Sequence, residues 1–220
     1  FSIAAKINPY SPYVYLGLGD VSLCRYEYSE AAGYFTEALR LSPDIPKAHV
    51  RLGSIYIWSR DYKKAEEAFR AAIKLDPEMF GIYAQLGDVL VKQQRYEEAI
   101  TVYKDALKGD SRLWRPRLSM GDAYLQLNQP DKALVEYQAV LDRDSEIEEA
   151  YVRIGNLQAQ QSNLADAETA FEKAIAINSK SHMAHYGLGN VYTEQERTDQ
   201  ALEQYEYVIK LKPDMALAHY

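Results

Sequence analysis

Apolar side chains recur along the chain at the three- and four-residue spacing of amphipathic helices, and the whole pattern returns every 34 residues. Three positions of the pattern keep one kind of residue through six consecutive repeats: a glycine, an alanine and an aromatic residue. The glycines are Gly19, Gly53, Gly87, Gly121, Gly155 and Gly189; the alanines are Ala31, Ala65, Ala99, Ala133, Ala167 and Ala201; the aromatic residues are Phe35, Phe69, Tyr103, Tyr137, Phe171 and Tyr205. The pattern predicts successive pairs of short helices.

Each of these positions has a packing role in the predicted pairs. Glycine on the first helix and alanine on the second indicate a crossing that is too close for larger side chains, and the aromatic ring is expected to fill the space beside it. A fourth small position, occupied by alanine or valine, brings the second helix against the next pair. One pair cannot bury its apolar face alone, so stacked neighbours are expected to supply the core.

Residues 46–79 show the pattern most completely, with Leu52-Gly53, Tyr56, Ala65, Phe69, Ala72 and Pro77 in order. This order and spacing resembles the tetratricopeptide repeat, and the resemblance covers nearly the whole chain. It implies an all-α, right-handed superhelical solenoid of antiparallel helix pairs. It also implies a non-catalytic scaffold that binds other proteins, because most members of the family have that role. The predicted repeats are 12–45, 46–79, 80–113, 114–147, 148–181 and 182–215.

Both ends of the sequence fall inside a repeat. Residues 1–11 resemble the end of a second helix from a preceding repeat, and residues 216–220 resemble the start of a following one. We therefore expect a longer parent array, and the localisation of the protein stays open.

The turn after each second helix is expected to take one of two forms. Proline closes the helix in three repeats, because it lacks an amide hydrogen and forces its predecessor out of helical geometry; these are Pro43, Pro77 and Pro213. The other three repeats have serine there, preceded by a residue whose side chain is expected to cap the turn; these residues are Asp110, Asp144 and Asn178. Ser145 and Glu148 fit a capping box for the next helix.

The junction of the third and fourth repeats is the least regular part of the pattern. Gly109 stands where leucine or isoleucine is usual, and Arg117 stands where an aromatic residue is usual. Trp114 has two interpretations: it is exposed to a partner at a local bend, or it packs into the space left by Arg117. Charge pairs at i,i+4 spacing, such as Glu66 and Arg70, are expected on the outer face of the array.

Composition excludes several classes of function. The net charge is −7 and the basic residues are scattered, so the basic stripe that neutralises phosphates in nucleic-acid-binding proteins is missing. No apolar run approaches the length of a membrane span. Cys24 is the single cysteine, which excludes an intrachain disulfide and a cysteine-based metal site.

No catalytic constellation is recognisable, so an enzyme and a cofactor are not expected. The sequence contains no HExxH, no phosphate-binding GxxxxGK[ST] and no GxSxG. His182 and His185 lie three residues apart on one predicted helix, but no further ligand completes a metal site, and both are interpreted as packing residues.

By the resemblance, the first helices line a concave groove in which a partner docks. The apolar groove candidates are Val50, Ile57, Trp58, Val91, Leu118 and Leu125; the polar and charged candidates are Lys47, Arg51, Gln85, Asp88, Arg115, Asp122, Arg153 and Asn156. Two arrangements of the charges are open. In the first, the cations bind acidic groups of a bound chain. In the second, Asp88 and Asp122 form ion pairs with the cations, so that the groove has no net electrostatic potential to attract a charged partner.

The expected partner is an extended or helical segment of another protein, with or without acidic groups. A C-terminal tail of Hsp90 or Hsp70 is not expected, because no repeat has the lysine and asparagine of the chaperone-binding clamp at its fifth and ninth positions. Two alternatives remain: a regulatory arm of a larger enzyme whose catalytic domain lies outside these residues, and a self-assembling array.

Overall fold

The computed structural model describes residues 10–211. The predicted helix remnant at residues 1–9, Pro213 and the predicted partial repeat at 216–220 lie outside the described residues. Within 10–211 the chain forms twelve helices and no strand. The predicted all-α class is therefore confirmed.

The helices alternate between a first and a second member of each pair. The first members are α1 (Pro12–Cys24), α3 (Pro46–Trp58), α5 (Phe80–Lys92), α7 (Trp114–Gln126), α9 (Glu148–Gln160) and α11 (His182–Glu194); the second members are α2 (Tyr28–Leu41), α4 (Tyr62–Leu75), α6 (Tyr96–Gly109), α8 (Pro130–Leu141), α10 (Leu164–Ile177) and α12 (Thr198–Leu211). Both series begin every 34 residues, so the period of the sequence is also the period of the backbone. The exact limits of each repeat stay a prediction.

The chain forms two compact units, which divide within α7 after Ala123. In the first unit, α1 pairs with α2, α3 with α4 and α5 with α6, and each pair packs on the next. In the second unit, α9 pairs with α10 and α11 with α12, while α8 packs on α9 and α10 on α11. The predicted pairing of helices is confirmed in both units.

The glycine of the first helix faces the aromatic ring of its own second helix. A Cβ atom built on Gly53 would lie 2.5 Å from Cε1 of Phe69, and one built on Gly19 would lie 2.6 Å from Cε1 of Phe35. Both rings are completely buried. The ring therefore occupies the space that a side chain on the glycine would need, which is why the pattern requires glycine and an aromatic residue together.

Phe80 explains the irregular glycine at the end of the third pair. A Cβ atom on Gly109 would overlap the ring of Phe80. Residue 80 begins α5 and residue 109 ends α6, so the ring fills the place of the leucine or isoleucine that is usual at position 109.

The turn between the two helices of a pair contains a left-handed residue that the sequence did not reveal. Tyr26, Arg60, Gln94, Asn128, Ser162 and Glu196 have φ between 55° and 62°. In the second pair, the Arg60 amide donates to the Ile57 carbonyl (3.0 Å) and the Asp61 amide to the Tyr56 carbonyl (2.8 Å). This is the Schellman arrangement, which ends a helix with a residue in the left-handed region.

The turns after the second helices agree with the predicted side-chain capping in three places. Asp110, Asp144 and Asn178 each accept a hydrogen bond from the amide two residues later, at 2.9, 2.9 and 3.1 Å. The predicted capping box of Ser145 and Glu148 is wrong. Ile147 occupies the N-cap of α9, and Glu148 instead accepts a hydrogen bond from the Ser181 hydroxyl.

Glu66 forms the expected i,i+4 ion pair with Arg70, and it also connects two neighbouring pairs of helices. Its carboxylate lies 2.9 Å from Nε of Arg70 on α4 and 2.6 Å from Nη1 of Arg95, at the start of the next second helix. Burial alone would raise the pKa of Glu66, but hydrogen bonds from Arg70, Arg95 and Gln93 outweigh it and hold the pKa below its usual value. The same arrangement joins Glu168 and Arg197 at 2.8 Å in the second unit.

Candidate functional site

A cleft of about 400 Å³ opens between α5 and the beginning of α7 in the first unit. We call it the first cleft; its walls are Gly81, Ala84, Gln85, Asp88, Arg112, Leu113, Trp114, Arg115, Pro116 and Ser119. Its volume lies in the range of roughly 300–1,000 Å³ that is typical of ligand pockets. Both helices that frame it are first helices of neighbouring pairs.

Trp114 and Arg115 form the outer wall of the first cleft. The Arg115 guanidinium carbon lies 4.7 Å from the centroid of the Trp114 ring, a cation–π distance. Trp114 is half-buried and Arg115 is exposed. The indole therefore holds the guanidinium in place while its donors remain accessible from solvent.

Asp88 provides a carboxylate on the opposite helix. The Tyr103 hydroxyl donates to Asp88 Oδ1 at 2.6 Å, and Ser119 donates a second hydrogen bond. Asp88 as a whole is exposed, but partial burial of its carboxyl group by the surrounding residues raises its pKa above the usual value. The two hydrogen bonds and the charge of Lys92 only partly offset this effect.

Tyr103 lies beneath the first cleft with its ring in the core. The side chain is 1% exposed, and its pKa is raised by burial and by the neighbouring charge of Asp88, with a smaller contribution from Asp122. The phenol thus stays protonated and donates its hydrogen to Asp88. Asp122 itself is half-buried on α7.

The cations of the second pair are neutralised by the preceding pair. Lys47 Nζ lies 2.7 Å from Asp20 Oδ2, and Arg51 Nε lies 2.9 Å from Asp20 Oδ1. Internal pairing was one of the two predicted arrangements, but the carboxylate is Asp20 rather than Asp88 or Asp122. Lys47 and Arg51 therefore do not form an open cationic clamp.

Trp58 is the most exposed of the apolar candidates, at 63%. Its ring stacks on Tyr28 with centroids 4.1 Å apart, a partner that the repeat positions did not indicate. Val50 and Ile57 of the same helix are half-buried. Trp58 lies outside the walls of the first cleft.

The remaining apolar candidates are more enclosed. Leu118 is 2% exposed and belongs to the packed interior, which is the least favourable position of the set for a partner contact. Val91 and Leu125 are half-buried. Of the predicted residues, the structure brings Gln85, Asp88 and Arg115 together in one cleft.

The second unit has a smaller cleft at the equivalent place, between α9 and the start of α11. Its volume is about 230 Å³ and its walls include Val152, Arg153, Lys180 and Met183. Arg153 is half-buried, with Nη1 3.4 Å from the carbonyl oxygen of Glu149. Asn156 is exposed on α9 and is not among the walls. The recurrence of a cleft at this place indicates that the paired-helix geometry generates it.

Tyr103, Ser119 and Pro116 were not predicted as parts of the site. One signal in the sequence pointed to Tyr103. The aromatic position of the repeat is occupied by either phenylalanine or tyrosine, and here a tyrosine follows Asp88 by 15 residues. The same spacing separates Asn190 and Tyr205, whose hydroxyl donates to Asn190 Oδ1 at 2.8 Å.

His185 is buried, with 8% of its surface exposed. Its ring atom Nδ1 lies 2.7 Å from Gln204 Oε1, and Nε2 lies 3.2 Å from the Ser179 carbonyl oxygen. This agrees with its interpretation as a packing residue. Among residues 10–211, no three His, Cys, Asp or Glu side chains gather closely enough to hold a metal ion. No helix in the same range has the length and apolar character needed to cross a membrane.

Comparisons with known proteins agree with the repeat pattern. A family model described as tetratricopeptide repeat matches residues 16–79, 56–113 and 118–182, and a second model of the same description matches 182–215. A comparison with curated protein sequences found no match.

Solved structures with a similar fold come from several helical-repeat proteins. Pseudomonas aeruginosa pilF has a TM-score of 0.75 and 20% identity over 94% of each chain. PilW, described as a widely conserved type IV pilus biogenesis factor, has a TM-score of 0.79 and 18% identity over 94% of this chain and 96% of that one. YrrB, described as having an unusual peptide-binding site, has a TM-score of 0.59 and 23% identity over 84% of this chain and 95% of that one. At these identities the likeness shows the fold alone.

Proposed function

Because the chain belongs to the tetratricopeptide repeat family, we propose that it is a non-catalytic scaffold that binds an extended or helical segment of a partner protein against its first helices. This fold is typical of proteins that mediate protein–protein interactions. The proposal concerns where the partner binds and which residues contact it.

The observation that carries the proposal is the first cleft. It is open to solvent, its volume of about 400 Å³ accommodates side chains of a partner, and its walls include both apolar groups and charged groups. Ligand sites are usually concave and mostly apolar, with a small number of placed polar groups that fix orientation. Gln85, Asp88 and Arg115 are those polar groups here.

Two further observations support a partner segment in this position. A smaller cleft recurs between the equivalent helices of the second unit, so each unit taken by itself offers a concave place between two first helices. In addition, a peptide-binding site is described for YrrB, which is similar in fold.

A large side chain introduced into the first cleft tests the proposal directly. Gly81 lies on the wall of the cleft, and a Cβ atom built there meets nothing within 4 Å. The Gly81→Trp variant should therefore fill the cleft without disturbing the core. Gly33 on α2 is equally open and exposed, away from the cleft, so Gly33→Trp is a matched control.

The measurement uses peptides selected from a displayed random library on the full chain. We expect the selected peptides to bind the parent protein and Gly33→Trp equally, and Gly81→Trp at least about tenfold more weakly, a loss of about 1.4 kcal/mol. Equal binding to all three proteins would show that peptides do not occupy the first cleft, and the proposal would be abandoned.

A further inference from the structure

We propose that the first cleft selects a partner segment that carries one basic and one acidic group, with the basic group bound by Asp88 and the acidic group by Arg115. This inference rests on the proposed function and specifies the chemistry of the segment. It follows from two opposite charges that line one cleft and have no ion-pair partner in the described part of the chain.

Among the described residues, Asp88 is a carboxylate that forms no ion pair, although the charge of Lys92 on the same helix acts on it. Within residues 10–211 no lysine, arginine or histidine lies at ion-pair distance from it, and its hydrogen-bond donors are the neutral hydroxyls of Tyr103 and Ser119. Its surroundings also remove part of its solvent shell. A carboxylate in this setting gains from a positive donor, because charge-assisted hydrogen bonds are about twice as strong as neutral ones.

Arg115 is a cation without a carboxylate. Its one described side-chain contact is the Trp114 ring, 4.7 Å from the guanidinium carbon. The neighbouring Arg112, by contrast, lies 2.9 Å from the Asp110 carboxylate. Because stacking on Trp114 restrains the Arg115 side chain before binding, less conformational entropy is lost when its planar guanidinium group binds an acidic group.

Several other charges of the first unit form internal ion pairs. Lys47 and Arg51 pair with Asp20, and Arg95 pairs with Glu66. Asp88 and Arg115 share the walls of one cleft, yet they form no ion pair with each other. An all-acidic segment would meet repulsion from Asp88, and an all-basic segment would meet repulsion from Arg115, so a segment with both charges fits best.

Tyr103 is a positioning residue for the basic half of this site. Its hydroxyl donates to Oδ1 of Asp88 at 2.6 Å and fixes the orientation of the carboxylate. Its ring is buried, as are the rings of Phe35 and Phe69, which occupy the same position in their own repeats. Tyr103→Phe should therefore keep the packing and weaken the binding of basic groups selectively.

The test uses fluorescent peptide pools of equal length and equal apolar content. One pool carries a lysine and a glutamate on either side of a central apolar residue in both orders, and the others carry lysine only, glutamate only or no charge. We expect the mixed pool to bind the full chain at least about tenfold more tightly than any other pool, which corresponds to one charge-assisted hydrogen bond.

Two nearly isosteric variants separate the two charges. Asp88→Asn keeps an oxygen that accepts from Tyr103, as Asn190 does from Tyr205 at 2.8 Å. We expect it to weaken the mixed and lysine-only pools about tenfold and to strengthen the glutamate-only pool, which Asp88 no longer repels. Arg115→Gln should weaken the mixed and glutamate-only pools and strengthen the lysine-only pool for the corresponding reason. Tyr103→Phe should act in the same direction as Asp88→Asn, and its thermal unfolding shows whether packing has been preserved.

The outcomes distinguish this inference from the function on which it rests. If the mixed pool binds no more tightly than a single-sign pool, or if Asp88→Asn weakens all pools alike, the selection of both charges is refuted. The proposed function still stands in that case provided that Gly81→Trp weakens whichever pool binds and Gly33→Trp does not. If Gly81→Trp has no effect on any pool that binds, both proposals are refuted.

Discussion

Replacing Gly53 by alanine adds a single methyl group at the point where α3 crosses α4. The new Cβ would lie 2.5, 2.7 and 2.9 Å from three carbon atoms of the Phe69 ring. Carbon atoms in favourable contact are about 3.5–4.0 Å apart, so the ring or the helix has to move by about 1 Å. Phe69 has no exposed surface, and its ring therefore has no free space to enter.

Two effects of opposite sign set the magnitude. Alanine is better than glycine in a helix by about 0.5–1 kcal/mol, because glycine loses more backbone freedom on folding. Extra atoms in a well-packed core cost about 1–3 kcal/mol, and the short distances place this site at the upper end. We expect Gly53→Ala to destabilise the protein by about 2 kcal/mol, which lowers Tm by about 4–8 °C for a chain of this length.

Gly33→Ala is the matched control, because it makes the same chemical change in α2 of the same unit. A Cβ at Gly33 meets nothing within 4 Å, so only the helix-propensity gain remains and we expect stabilisation of about 0.5–1 kcal/mol. Urea denaturation followed by circular dichroism measures both variants. The packing argument is refuted if Gly53→Ala is as stable as Gly33→Ala.

A double substitution tests whether the Phe69 ring is the cause. Phe69→Leu removes part of the ring that the new methyl group would meet. If the clash with this ring is responsible, the double variant Gly53→Ala/Phe69→Leu should be more stable than the sum of the two single effects predicts, by about 1 kcal/mol or more. Strict additivity would place the cost of Gly53→Ala elsewhere.

Three further predictions concern one turn residue, Arg60, and two carboxylates with shifted pKa values, Glu66 and Asp88. Arg60 has a φ of 60°, which glycine adopts more easily, so Arg60→Gly should stabilise by about 0.5–1 kcal/mol in urea denaturation and Arg60→Val should destabilise. The folded-state pKa of Glu66 is lowered, so its contribution is present above its unfolded pKa and is lost as pH falls. Glu66→Gln should therefore destabilise by about 1–3 kcal/mol near neutral pH, with a smaller effect in acid. The folded-state pKa of Asp88 is raised, so Asp88→Asn should increase stability near neutral pH and lose that advantage below the unfolded pKa. Denaturation midpoints across a pH series check both signs, and parallel curves for variant and parent would contradict them.

The fold could be predicted from the sequence because its determinants are local and repeated. Gly53 and Phe69 lie 16 residues apart in the chain, and the same pair of residue types recurs at Gly19 and Phe35. The same steric requirement, a glycine beside an aromatic ring, is therefore visible in each repeat of the sequence. The left-handed turn residues were missed for the opposite reason. Six different residue types occupy that position and none of them is glycine, so no residue type at this position indicates the left-handed backbone.

The candidate site could be predicted only as a set of positions. The repeat position places Lys47 and Arg51 on a first helix, but it does not reveal that Asp20 of the preceding pair neutralises both. It also does not distinguish Leu118, which is buried, from Trp58, which is exposed. Which charges remain open depends on side chains contributed by neighbouring pairs, and a pattern within one repeat carries no information about them.

Tyr103 shows how one position can serve both the fold and the site. Its ring fills the space beside Gly87, as the ring of Phe69 does beside Gly53, so the requirement of the scaffold is met by either residue type. The single additional oxygen of tyrosine reaches Asp88 at the surface of the cleft. Because the ring is already buried and held by the helix crossing, the hydroxyl needs little further ordering to fix the carboxylate. A repeat array can therefore change its binding chemistry from one repeat to the next by exchanging phenylalanine and tyrosine, without altering the packing that defines the fold.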